Sequence, residues 1–381
     1  MRFSIFPACP NHIDKEKKRI MSNLNDDVIF DIFSRIPGDI LETTFKYECK
    51  NWFNMISSSV FIKTHLLHQT KDGILQQVTT GGIVKLMFIN LNAMEANKEL
   101  ELITLPENSR VVCSCNGLLL CLDSTSKNMY VTNPMTNETV ALRPCNHELH
   151  SGVEVRYDLV YVPSTEKYKV VELYYDYANH HPVFHIQTLG VNGLSDSYRR
   201  IEEPAFKSAL QYISYYESIS VSGVLYILVG SGKIICFDVG NETTIKLLSL
   251  PTCYSNDNGV DLTEIAGSLS FIRGTRYDQF DVWSLKDVNE GEWVKQFKIC
   301  KLPANINNRV PPYVNLVVLG SLNDGEVITF PDDRTDVYGQ RIFVYSVKTM
   351  QWKLMNTTNS FQATPMVYKS DNAVEADEYH E

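Results

Sequence analysis

No run of about 18 apolar residues occurs in the 381-residue sequence, so no segment reads as a membrane-spanning helix and no membrane partner is expected. A basic excess is missing as well. Lys and Arg number 35 against 45 Asp and Glu, a formal net charge of −10. Such a chain lacks the positive footprint of non-specific nucleic-acid binding, so no nucleic acid is expected. There is no G-x-S-x-G nucleophile elbow, no phosphate loop and no dinucleotide fingerprint. No catalytic residue is therefore assigned. The nine cysteines include no C-x-x-C pair, which removes the usual zinc knuckle, and neither metal nor cofactor is expected.

Two clusters tempt a metal reading, Cys145-Asn146-His147-Glu148-Leu149-His150 and His180-His181-Pro182-Val183-Phe184-His185. Neither has H-E-x-x-H helical spacing, and both are expected to be exposed loop histidines. The opening MRFSIFPACPNHIDKEKKRI is unlike a secretory leader: Pro7 and Pro10 break its apolar start, and the charges follow that start. Residues 1–21 are expected to be a loose extension. The thiols are expected to be reduced, in the cytoplasm or nucleus.

What is present begins with helical periodicity. Leu24, Val28, Ile29, Ile32, Phe33 and Ile36 form a broad apolar stripe. Asn25 is placed to cap it, Asp26 and Asp27 suit its dipole, and Pro37-Gly38 stops it. A second helix is expected from Asp39, with Ile40, Leu41, Phe45, Cys49, Trp52, Phe53 and Ile56 on its apolar side, weakened at Thr43-Thr44. Ser57-Ser58-Ser59 breaks the chain and caps a third helix that buries Val60, Phe61, Leu66 and Leu67. Three such helices bury little surface alone. They either fold onto the rest of the chain as a cap or take a partner.

The stretch resembles an F-box. Leu24, Asn25, Asp27, Val28, Ile29, Ile32, Phe33, Arg35, Ile36 and Pro37 follow the pattern of its first helix, Cys49-Lys50-Asn51-Trp52 resembles its Cys-Lys-Ser-Trp, and Phe61 with His65-Leu66 resembles its close. Asn25 stands where the family usually has proline, and the span from Arg35 to Trp52 is one residue longer than the commonest form. The resemblance implies docking on a Skp1-like adaptor, and through it on cullin and RING subunits. Leu24, Ile29, Ile32, Ile36 and Pro37 would face the adaptor, helped by Cys49, Lys50 and Trp52.

Past residue 75 short apolar runs alternate with Asn, Gly, Asp, Ser and Pro, the mark of many short strands. Gly117, Gly223 and Gly267 each precede an apolar run, and further strands follow at Met129, Ile234 and Phe280. Units of roughly 40–50 residues with four strands each are what propeller blades show. Cys113, Cys115 and Cys121 fall on odd positions and are expected to fill core on one strand face. Tyr174, Tyr175, Tyr177, Tyr215 and Tyr216, with Tyr212, lie near loop boundaries; strand packing and a target-binding role both remain open.

This part resembles the F-box-associated domain of plant F-box proteins, related to kelch-type propellers. Ser114-Cys115-Asn116-Gly117-Leu118, the Asn133-Pro134-Met135-Thr136 turn and the strands at Tyr157–Tyr161 and Tyr168–Val171 carry the likeness. The expected architecture is α+β and multidomain. A small three-helix F-box at residues 22–68 precedes a mainly-β, β-propeller-like domain at 75–360 and an acidic tail at 361–381. The resemblance implies a non-catalytic substrate-recognition subunit of an SCF-type ubiquitin ligase, with the β domain holding an unknown target protein. The alternatives are a propeller enzyme or lectin with a helical cap, and an F-box relic that no longer binds the adaptor.

Overall fold

A computed structural model describes residues 24–37, 40–58, 60–61, 65, 73–90, 99–134, 138–143, 155–176, 181–190, 198–202, 217–229, 232–251, 260–276, 279–300, 318–322, 325–331, 341–356 and 364–368. The chain divides into two compact units, the first built on Met1–Lys71 and the second on Asp72–Lys369.

The second unit holds six four-stranded antiparallel sheets, the blades of a β-propeller. The first blade orders β24 (Thr364–Tyr368), β1 (Gly73–Thr80), β2 (Ile83–Asn90) and β3 (Glu99–Leu105). The second runs β4 (Ser109–Cys115), β5 (Leu118–Asp123), β6 (Met129–Thr132) and β7 (Thr139–Ala141). The third runs β8 (Val155–Val162), β9 (Lys167–Asp176), β10 (His181–Thr188) and β11 (Arg199–Glu202). In the fourth, β12 (Glu217–Val221) leads β13 (Val224–Val229), β14 (Lys233–Asp238) and β15 (Thr243–Ser249). In the fifth, β16 (Val260–Ile265) leads β17 (Ser268–Arg276), β18 (Gln279–Asp287) and β19 (Glu292–Cys300). The sixth comprises β20 (Gly320–Leu322), β21 (Val327–Pro331), β22 (Arg341–Ser346) and β23 (Gln351–Asn356).

Each blade is covered on both faces, which explains apolar runs that do not alternate. In β5, Leu119 and Cys121 pack toward the first blade, while Leu120 and Leu122 pack toward the third. Six apolar clusters fill the six seams between successive blades. The largest rings meet there: Phe184 stacks on Phe237 across the third and fourth blades, centroids 4.3 Å apart. A partly buried ion pair reinforces the same seam. Lys169 Nζ donates to the carbonyls of Val239 and Gly240 and pairs with Glu242 at 2.9 Å.

The inner strands β24, β4, β8, β12, β16 and β20 contact one another in succession and close the ring. Closure depends on β24, whose Gly73↔Tyr368 to Gln77↔Thr364 pairing with β1 joins the two ends of the propeller. Thr364–Tyr368 thus lies in a blade, within the stretch expected as tail from residue 361. The bend into each inner hairpin explains the repeated glycines. Asn116-Gly117, Ser222-Gly223 and Ala266-Gly267 are two-residue turns with positive φ at both positions, the primed geometry that matches strand twist. The glycines therefore end an inner strand as well as begin the next one. The strands expected at Met129, Ile234 and Phe280 are the third in their blades.

Two further expectations are corrected here. The three cysteines do not share a face. Cys121 sits in the seam of the first two blades, while Cys113 and Cys115 pack against the opposite seam, because the 116–117 turn and a bulge at Val111/Cys113 intervene. His181–His185 is not a loop. It lies in β10, and His185 is buried, its Nδ1 3.8 Å from Glu172 Oε2. Pro182 bars a helix there, and it stands before the β10–β11 pairing begins at Val183. The Cys145–His150 cluster lies outside the described residues, as do residues 1–21.

In the first unit, α1 spans Asp26–Ser34, a π-helical turn spans Leu41–Phe45, and α2 spans Lys50–Ile56. Val60, Phe61 and His65 are helical, and most of the expected third helix lies outside the described residues. The second helix is thus broken in two. Cys49 is extended and caps α2, its Sγ accepting from the Trp52 amide at 3.5 Å. The β-branched Thr43-Thr44 sit in the π turn that precedes the break. Asn25 holds the N-cap backbone position of α1, but its side chain caps nothing; its Nδ2 lies 3.3 Å from Asp27 Oδ2. Ser58 does cap the following turn, accepting from the Phe61 amide at 3.1 Å.

Candidate functional site

Two places in the molecule are fitted to meet something else. One is the surface of the helical unit. Its core is Ile29, Phe33, Leu41, Trp52, Ile56 and Phe61. Phe33 anchors it, 5.0 Å from the Trp52 ring edge-on and 5.1 Å from Phe45. Asn51 Nδ2 ties α2 to Asp26 on α1 at 3.1 Å, and His65 Nε2 lies 2.7 Å from the Ile36 carbonyl. Beside exposed Asp26, Asp27, Asp31 and Arg35, several large apolar side chains are left outside this core: Val28 is 45% exposed, Ile40 42%, Tyr47 57%, Phe53 42% and Val60 66%. Tyr47 and Phe53 lie side by side, ring centroids 6.0 Å apart, with Lys46 Nζ 5.9 Å from the Phe53 ring.

The expected adaptor-facing set divides accordingly. Leu24, Ile32 and Ile36 are half-buried, and Pro37, Cys49 and Lys50 are exposed. Ile29 and Trp52 point inward, at 3% and 8% exposure, and are corrected to core residues. Val28 and Ile29 are both apolar, so periodicity alone does not fix which one faces in.

The second place is the propeller axis. A cavity of about 390 Å³ is lined by residues of all six inner strands, among them Ser114, Asp158, Ser218, Thr263, Glu264 and Ser321. Hydrogen bonds cross from blade to blade around it. Ser114 Oγ donates to the Val367 carbonyl at 2.8 Å, Ser218 Oγ to Asp158 Oδ2 at 2.8 Å, and Ser321 Oγ to the Glu264 carbonyl. The Leu159 amide donates to Cys113 Sγ at 3.2 Å, and the Val318 amide to Asp261 Oδ2 at 2.8 Å. In each of these the donor stands on the later blade.

Burial raises Asp158 and Asp261 to about 6, against the hydrogen bonds from Ser218 and the Val318 amide. Burial likewise pushes the Cys115 thiol up to about 11, Cys121 to about 12 and Cys113 well above its ordinary value. Such thiols are poor nucleophiles at neutral pH, in keeping with their expected packing role.

The tyrosines fare differently from the loop reading. Tyr174 lies in β9 at 7% exposure, its ring 5.5 Å from His185 on the neighbouring strand β10, so it is buried against its own blade. Tyr175 is on the same strand, while Tyr177, Tyr212, Tyr215 and Tyr216 lie outside the described residues.

Residues 83–369 match the F-box associated β-propeller domain. The chain belongs to this family. Three F-box proteins of Arabidopsis thaliana are 23, 24 and 25% identical to it. They cover 73, 87 and 91% of this chain and 73, 89 and 94% of their own lengths. A β-propeller domain from Myceliophteria thermophila overlays with a TM-score of 0.40 at 10% identity, covering 76% of this chain and 90% of that one. Recognition as a plant F-box protein with an F-box associated domain is borne out, and six is the number of blades. Of the inner strands that carry the axial cavity, β8 was read at Tyr157–Tyr161, while β12, β16, β20 and β24 were missed in the sequence. Asn116-Gly117, a strong two-residue hairpin signal, pointed to the strand before it.

Proposed function

We propose that this member of the F-box associated family is the substrate-recognition subunit of an SCF-type ubiquitin ligase. Its helical unit docks on a Skp1-like adaptor, which joins it to cullin and RING subunits. Its propeller holds a target protein in the cytoplasm or nucleus. It supplies no catalytic residue; ubiquitin transfer is favoured because target and partner enzyme are held together. The exposed apolar side chains Val28, Ile40, Tyr47, Phe53 and Val60, gathered on one small helical unit, carry this reading. Apolar residues presented by short helices are the form in which a helix-in-groove interface is read. Half-buried Leu24, Ile32 and Ile36, with Pro37, Cys49 and Lys50, border this surface in sequence. Ile29 and Trp52 support it from below.

Capture of purified Skp1-type adaptor by the full chain tests the proposal. The wild type is expected to retain adaptor, and Val28→Asp to lose it while keeping its far-UV circular dichroism. A folded wild type that retains none leaves the F-box relic or the propeller enzyme as the better reading.

A further inference from the structure

The axial cavity has a chemistry that blade packing does not require. Each inner strand is the end strand of its sheet, so one backbone edge of each is left without a strand partner on the axial side. The residues lining it add the hydroxyls of Ser218, Ser220 and Thr263 and the carboxyl of Asp158, with Glu264 beside them, its Oε1 accepting from the Gly267 amide at 2.6 Å. No Lys, Arg or His is among the lining residues. The lining side chains are therefore rich in oxygen atoms and negative in sign, while the strand edges offer carbonyls as well as amides.

Asp158 is its distinctive member. The residue is only 9% exposed, and its Oδ2 accepts from Ser218 at 2.8 Å. Its Oδ1 has no hydrogen-bond partner among the described residues. The groups acting on it are Ser218 from β12, the Cys113 and Cys115 thiols from β4, and Arg156 on its own strand through its charge. An anion entering here would meet the Asp158 carboxyl, and an apolar ligand would strip the hydroxyls of water without replacing it. A divalent cation needs several hard ligands, and no group of three His, Cys, Asp or Glu able to hold one occurs among the described residues. A compact organic cation with several N–H donors fits the wall.

We propose that the axial cavity binds one ammonium or guanidinium group, received by Asp158 Oδ1 and completed by neighbouring hydroxyls and strand-edge carbonyls. The cation comes either from a Lys or Arg side chain of a polypeptide or from a small free amine. The polypeptide source rests on the target-recognition role proposed above; the free-amine source does not. The cavity, at about 390 Å³, is within the size range of small-ligand sites.

Calorimetric titration of the full chain at neutral pH separates these outcomes. The probes are agmatine, acetyl-Gly-Arg-Gly-amide, and the same peptide with neutral citrulline in place of arginine. Agmatine and the arginine peptide are expected to bind and the citrulline peptide to bind at least tenfold more weakly. Binding of agmatine alone assigns the cavity to a free amine. Asp158→Asn should weaken agmatine at least tenfold. Ser218→Ala, a smaller lesion, should weaken it severalfold, and Asp261→Asn, whose carboxyl faces the Val318 amide, should leave it unchanged. Each variant is first shown to be folded by its melting curve. If neither cation binds the folded wild type, if citrulline competes equally, or if Asp158→Asn binds like wild type, the proposal is wrong. Adaptor capture is scored on the same preparation, so failure of either idea is seen separately.

Discussion

In α1, Val28 is 45% exposed and its neighbour Ile29 is 3% exposed; in β5, Leu119 and Leu120 are both fully buried. The two pairs are equally apolar and differ in what surrounds them. A blade strand has a neighbouring blade on each face, so consecutive side chains pointing opposite ways are both covered. A short helix in a small unit covers only one side, so a wide apolar stripe leaves a remainder outside. Among the described residues the large exposed apolar side chains divide unevenly. Val28, Ile40, Tyr47, Phe53 and Val60 lie in the small helical unit; Ile83, Ile245, Val294 and Met350 are spread over the whole propeller. The helical unit is built with apolar surface to give, and the propeller is built to keep its own.

The largest expected effect breaks this contrast from the inside. Phe33→Ala removes the ring at the centre of the helical core, at a cost of about 3–5 kcal/mol. A core of six buried side chains cannot absorb that loss, so the helical far-UV signal and adaptor capture should vanish together. Phe184→Ala in the propeller costs a similar amount, yet should lower the melting temperature without abolishing the β-sheet signal.

Lys169→Met tests a polar seam. It leaves Glu242 and two carbonyls without their buried cation, and about 3 kcal/mol should be lost, seen as a lower urea midpoint at unchanged slope. Part of that contribution depends on pH. Burial pushes the Glu242 carboxyl up, but bonds from Lys169 and Arg199 outweigh it and hold it below its ordinary value. The wild-type advantage is therefore present above the unfolded value of about 4.3 and falls away in more acidic solution.

Asp158 runs the other way. Its folded value near 6 lies above the unfolded value of about 3.9, so the folded state holds the proton more tightly. That stabilisation is complete below about pH 4 and is lost as pH rises through 6. Asp158→Asn keeps an acceptor for Ser218 and removes the titration. It should melt several degrees above wild type at pH 8, for about 2–3 kcal/mol, with the gap closing near pH 4. A pH-independent difference would mean that Asp158 is not held in a desolvating site.

The smallest effect sharpens the turn reading. Ala266 holds φ 49° in a primed turn, so Ala266→Gly should stabilise by about 0.5–1 kcal/mol. Gly223→Ala should destabilise, since φ is +81° and the added carbon meets Pro163 Cδ at 3.1 Å.

The same contrast explains how much the sequence told. Outer propeller strands such as Met129–Thr132 and Lys233–Asp238 were legible as apolar runs between turns. Most inner strands were not, β8 at Tyr157–Tyr161 excepted. Ser218 and Ser220 in β12, and Thr263 and Glu264 in β16, serve the axial wall and dilute the apolar pattern, as does Asp261, whose carboxyl takes the Val318 amide outside that wall. The closing strand β24 pairs with β1 across almost the whole chain, a contact no local pattern announces. In the helical unit the stripe was visible and its phase was not. The core packing of Phe33 against Trp52 turns Ile29 inward and leaves Val28 out, and the break before Cys49 turns Phe53 outward.

The most direct test is a titration of Skp1-type adaptor against three forms of the full chain: wild type, Val28→Asp with Phe53→Asp, and Met350→Asp. Met350 is 77% exposed on the propeller and serves as the control. The account predicts that the double variant keeps its helical signal and loses at least a hundredfold in affinity, while Met350→Asp binds like wild type. Full affinity in a folded double variant would show that the apolar surface of the helical unit is not what meets the adaptor.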